Sequence, residues 1–246
     1  MTAAWDLARA AAERAGVTFR DMTTVEDADL VNSVIDATWG GQHLDREVIR
    51  ALAISGNVTI AAVAGDEMIG FVLGWAGVDG DGVHVHSHML AALPDRRHAG
   101  VGTALKLAQR AQALDQGIHV MRWTFDPMVT RNAWLNFGKL GVVADRFERS
   151  FYGEMDDVLN RGERTDRLVV RWDLDREPGP RTVPPHAVVA EIGVPSGYAD
   201  LSGDARLEAR EAVARRIEEA VASGGVVVAF VRESSTYVVA REEAVS

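Results

Sequence analysis

The 246-residue chain carries a net charge of −10, with 47% hydrophobic and 25% charged residues, which suits one large globular domain or a domain with a smaller appendage. That charge excludes broad nucleic-acid binding and polybasic membrane contact, which need a basic face, while Arg96 and Arg97 still allow a local anion site. Absence of cysteine excludes disulfides, thiolate metal sites and a cysteine nucleophile; no apolar run approaches the ~20 residues that span a bilayer, and a cytoplasmic location is expected.

Met1 to Gly16 intersperses alanines with Asp6, Arg9, Glu13 and Arg14, which predicts an amphipathic helix rather than a signal peptide. Thr23 to Glu26 fits a capping box, and Val31, Val34 and Ile35 follow at helical spacing. A second helix is expected from Asp45, with Leu44, Val48 and Leu52 as its apolar stripe and Gly56 as its stop. Val58 to Ala64 and Met68 to Trp75 read as strands joined by the turn Gly65-Asp66. Asp79-Gly80-Asp81-Gly82 turns into a third strand, Val83 to Ala92.

Leu93-Pro94 closes that strand, and Arg96-Arg97-His98-Ala99-Gly100-Val101-Gly102-Thr103-Ala104 leads into a helix ending near Gln116. The glycines let a ligand approach the backbone, and the first helical N–H groups offer unpartnered donors in a partial positive field. The spacing thus predicts an anion site built from main chain. The stretch also begins a dinucleotide fingerprint, but Leu105 stands where the third glycine belongs. His119 to Phe125 reads as a strand ended by Asp126-Pro127, Thr130 to Leu140 as a helix closed by Gly141, and Phe147 to Tyr152 and Arg167 to Leu174 as strands flanking a short helix, Met155 to Arg161. Glu177-Pro178-Gly179-Pro180 and Pro184-Pro185 mark a connection. Ala205 to Ser223 reads as a helix with a Glu211/Arg215 surface pair, before a hairpin of Val226 to Val231 and Tyr237 to Ala240. Expected divisions are an N-terminal helix (1–16), a main domain (17–176), a linker (177–186) and a C-terminal helix and hairpin (187–246) packed on the main body.

This order of elements over roughly residues 17–175 resembles the GCN5-related N-acetyltransferase (GNAT) superfamily. Arg97, Gly100 and Gly102 meet its acyl-CoA motif, Arg/Gln-x-x-Gly-x-Gly/Ala. Arg131-Asn132-Ala133-Trp134-Leu135-Asn136-Phe137-Gly138-Lys139-Leu140-Gly141 resembles its Asn-bearing helix. The segments His86-Ser87-His88-Met89, Trp123-Thr124-Phe125-Asp126-Pro127 and Phe151-Tyr152-Gly153 are similar to a less characterised bacterial branch with a C-terminal extension. The resemblance implies an α/β fold with a mixed, mostly antiparallel central sheet, splayed at the acyl-CoA site and flanked by helices, plus a small α+β extension.

It also implies acyl-CoA, chiefly acetyl-CoA, as co-substrate, with no metal. Met89, Leu90, Ala91 and Ala92 would lie along pantetheine. Arg97, His98, Ala99, Gly100, Val101, Gly102, Thr103 and Ala104 would surround the pyrophosphate, and Asn132, Asn136 and Lys139 would contact CoA. Phe137 stands where the family often has a tyrosine general acid, and has no proton to give.

Candidate catalytic residues follow from side-chain chemistry. His84, His86 and His88 alternate on one strand face, and His88 or His86 is a candidate base or a hydrogen-bonded structural histidine. Asp126 is a base, an amine anchor or a turn former. Tyr152 is a substitute acid or a packing aromatic. The implied activity is N-acylation of a small-molecule amine, with a homodimer allowed. Alternatives are a non-catalytic acyl-CoA binding module and a nucleotide-binding oxidoreductase.

Overall fold

The computed structural model describes residues 2–40, 43–96, 99–153 and 164–244. They fall into two compact units, the first ending at Arg122 and the second beginning at Trp123. Arg97, His98 and the expected helix Met155 to Arg161 lie outside the described residues.

In the first unit, α1 (Ala3–Ala15) buries Ala4, Ala8, Ala11 and Ala12, small side chains that let it lie against α4 (Val101–Asp115). Trp5 Nε1 ties the two together by donating to Asp115 Oδ2 at 2.7 Å. Helix α2 (Val25–Thr38) starts one residue later than the sequence suggested. Thr24 is the cap, and its box partner is Asp27, whose carboxylate accepts the Thr24 amide at 2.8 Å. In α3 (Arg46–Ile54) the buried position is Ile49, and the expected stripe residue Val48 is exposed. The short helix meets its neighbours along one narrow line, which selects a single residue of the adjacent pair.

Strands β1 (Thr18–Asp21), β2 (Val58–Ala64), β3 (Glu67–Asp79) and β4 (Gly82–Ala92) follow one another in antiparallel order, and β5 (Val120–Phe125) pairs parallel to β4 at Val85↔Met121 and His86↔Arg122. The central strands are continuously apolar because both faces are covered. Ala61, Phe71, Leu73 and Ala91 pack with Val31, Ile35 and Ile49 of α2 and α3, while α4 packs on β2, β3 and β4.

In the second unit the strand order is β5, β7 (Arg167–Asp173), β6 (Val143–Glu148), β9 (Gly225–Val231), β10 (Thr236–Arg241), β8 (Val188–Gly193). Helix α6 (Gly203–Ala222) packs on β6, β8 and β9. The C-terminal strands are thus continuous with the sheet of this unit, through β9 beside β6 at Ala144↔Val227. Two expectations change here. Strand β6 occupies Val143–Glu148 rather than Phe147 to Tyr152, because the chain turns at Ser150, with φ 49°. Helix α5 (Thr130–Ala133) widens into a π-helix over Trp134–Leu140. The Gly141 and Val142 amides both donate to Asn136 O, at 3.0 and 3.2 Å, and Gly141 takes φ 73° where a side chain would be strained.

Candidate functional site

Gly100 caps α4 with φ 91° and ψ −1°, a left-handed conformation that turns the chain from the loop into the helix. The first helical bond runs from the Ala104 amide to Gly100 O at 3.0 Å. The amides of Val101 and Gly102 precede it at the positive end of the helix dipole. Among the described residues, a Cβ on Gly100 would approach only the Ala15 methyl, at 3.9 Å. This donor set suits the pyrophosphate of CoA. Arg96, at its entry, is half exposed and 3.6 Å from Asp95.

Strand β4 precedes this turn. Its pairing with β3 shifts between Leu73↔Met89 and Gly74↔Ser87, so His88 is the extra residue of a bulge. A bulge re-aims side chains and interrupts pairing, here beside Met89, Leu90, Ala91 and Ala92. The Trp75 ring lies 5.1 Å from the His86 ring and 4.8 Å from the His88 ring, so the bulge leaves both imidazoles on one indole. On the opposite face Ser87 Oγ accepts from Lys106 Nζ at 2.8 Å, and Gln109 Oε1 accepts at 3.0 Å.

Lys106 was not singled out from the sequence. Its only signal is a lysine between two buried leucines, Leu105 and Leu107. Desolvation lowers its pKa well below the ordinary lysine value. Burial, then the neighbouring His88, His84 and Lys106, lowers His86 from 6.5 to about 4. Desolvation by the surrounding chain lowers His88 too, although the residue is exposed at the surface.

A histidine held neutral by the fold binds its proton in the unfolded chain first. The His86 contribution to stability is therefore full above pH 6.5 and is lost as pH falls towards about 4. At pH 5 the loss is at most about 2 kcal/mol. Urea melts at pH 7.5 and 5 should show His86→Asn to be less sensitive to acid than the parent by up to that amount.

In the second unit Asp126 ends β5. Its Oδ1 accepts the Met128 amide at 2.8 Å, the turn bond of an Asp two residues upstream, and its two oxygens accept from Arg210 at 3.2 and 2.8 Å. Tyr152 is exposed, its hydroxyl 3.2 Å from Thr124 Oγ1 and its ring 5.4 Å from the Arg167 guanidinium carbon. Phe137 is fully buried and packs edge-to-face with Phe125 at 6.1 Å and Tyr237 at 5.9 Å. Asn136 is buried, Asn132 half-buried and Lys139 exposed on the same helix. No helix among the described residues is long and apolar enough to cross a membrane.

A bulged strand thus runs into a glycine turn that opens a helix. Residues 29–141 match the family model described as the acetyltransferase (GNAT) family. The fold is similar to that of Naa20 from Chaetomium thermophilum in complex with a bisubstrate analogue, with a TM-score of 0.50, 16% identity and coverage of 65% of this chain and 88% of that one. It is also similar to a chain of the NatC complex bound to Gag peptide and CoA, with a TM-score of 0.50, 14% identity and coverage of 64% and 98%. Comparison with curated proteins gives no significant match.

Proposed function

We propose that the protein transfers an acetyl or other short acyl group from acyl-CoA to the amine of a small molecule. The observation that carries this is the Gly100 turn, which presents the first amides of α4 directly after the bulged end of β4. In this reading Met89 to Ala92 pair with pantetheine, Arg97 to Ala104 hold the pyrophosphate, and Asn132, Asn136 and Lys139 add contacts to CoA. The amine nitrogen attacks the thioester carbon, the C–S bond breaks, and main-chain N–H groups of β4 stabilise the oxyanion. His88, beside His86, takes the proton from the amine, since a neutral imidazole is ready to accept one. Both oxygens of Asp126 are engaged, so Asp126 fixes the end of β5. Tyr152, an exposed residue whose hydroxyl meets Thr124 Oγ1, donates a proton to the leaving CoA thiolate in place of Phe137.

The apolar packing of Phe137 favours a second reading, a module that binds acyl-CoA without turning it over. Incubation of acetyl-CoA with hydroxylamine, aminoglycosides and peptide α-amines separates the two. Thiol release matched by N-acetyl product is the expected result. Tight CoA binding with no thiol release on any acceptor supports the module, and absence of CoA binding overturns both.

A further inference from the structure

The connection between β6 and β7 carries Tyr152, and the charges of α6 close on its base. Arg149 forks onto Glu218, with Nε to Oε1 at 2.5 Å and Nη2 to Oε2 at 2.6 Å. Its Nη1 reaches Glu211 Oε2 at 2.7 Å, and Arg164 Nη1 reaches the same oxygen at 2.6 Å. Glu211 thus joins the two sides of the connection, and the two guanidinium groups pull its carboxyl down to about 2. The sequence had suggested Arg215 as its partner.

Inside this clamp the two sides are laced together. Asp166, fully buried, accepts from Arg164 at 2.9 Å and from the Ser150 amide at 3.1 Å. Thr165 Oγ1 accepts from the Tyr152 amide at 3.0 Å and donates to Gly153 O at 2.8 Å. Ser150 sits at φ 49°. A non-glycine residue keeps that conformation only where its surroundings over-determine it. An isolated exposed ion pair fixes little, whereas a forked network that shares carboxylates has geometry to impose.

We infer that Glu211 and Glu218 of α6 are positioning residues for acyl transfer, holding the strained turn that presents the Tyr152 hydroxyl. This rests on the proposed role of Tyr152 as proton donor to the thiolate. It makes the C-terminal segment part of the catalytic apparatus rather than an appendage.

The test is a cycle of four proteins: parent, Tyr152→Phe, Glu211→Ala/Glu218→Ala, and the triple variant. CoA release from acetyl-CoA is measured with hydroxylamine, a nucleophile that needs little acceptor pocket. The glutamates are 48% and 37% exposed, and alanine suits a helix, so the variants fold. The double variant is expected to lose about 10-fold in kcat with KM for acetyl-CoA moving less than about 2-fold, as for a small misplacement of a reacting group. In the Tyr152→Phe background the same substitutions are expected to cost less than about 2-fold, because positioning acts through the missing hydroxyl. An undiminished kcat in the double variant, or an equal loss in both backgrounds, overturns the positioning role while leaving Tyr152 its own. An unchanged kcat for Tyr152→Phe alone overturns the assignment of Tyr152, and the positioning role with it.

Discussion

Gly100→Trp is expected to lower CoA affinity by about 100-fold or more and leave the fold in place. The argument begins with the backbone. Gly100 has φ 91°, where a side chain costs roughly 1–2 kcal/mol. That is a tolerable fraction of a domain's stability. Space decides the rest. Among the described residues the nearest atom to a Cβ at Gly100 is the Ala15 methyl at 3.9 Å, so a small side chain is accommodated there. An indole fills the volume in front of the α4 amides, where the pyrophosphate would sit. Gly100→Ala separates the two effects, since it introduces the strain without the bulk, and is expected to weaken binding by about 10-fold or less. Calorimetric titration with CoA, beside far-ultraviolet circular dichroism, checks both. A folded tryptophan variant with parental affinity would remove the loop from the proposed site.

The turn from β4 into α4 was legible because its signals are local: a strand end, a proline, two glycines and a helix start lie within about a dozen consecutive residues. Strands β2, β3 and β4 were legible for the same reason, as apolar runs bounded by Gly and Asp turns, whereas β1, four residues with three of them exposed, was not. What escaped depends on a choice between neighbours or on distant partners. The bulge at His88 follows from the pairing of β3 with β4, which alternation within β4 does not encode. The π-helix differs from an α-helix by one position in its hydrogen bonds, too small a change for a 3.6-residue period to reveal over Trp134–Leu140. Lys106 gains its meaning from Ser87 on another element. Glu211 found Arg149 and Arg164 across the fold in place of Arg215, because two guanidinium groups on one carboxylate oxygen outweigh an exposed i, i+4 pair. Arg210 could not be linked to Asp126, 84 residues away, from any spacing.

That last pair carries the largest expected effect on stability. Arg210→Met is expected to destabilise the protein by about 3–5 kcal/mol, the cost of leaving a buried charge without its partner. The side chains of Arg210 and Asp126 are only 4% and 14% exposed. The Met128 amide alone, at 2.8 Å from Asp126 Oδ1, cannot replace two guanidinium bonds. Methionine nearly fills the volume and keeps apolar contact with the Tyr198 ring, over which the Arg210 guanidinium carbon now lies at 5.9 Å. The loss is therefore mainly electrostatic rather than a cavity. Asp126→Asn/Arg210→Met should then recover much of the loss, because the neutral amide oxygen still accepts the Met128 amide and no charge is stranded. Thermal melting of the two variants is the check, with the single variant expected roughly 6–20 °C below the parent and the double variant clearly above the single. Equal melting temperatures for the two would show that Arg210 works through packing on Tyr198, and would release the Asp126 carboxylate for a part in the chemistry.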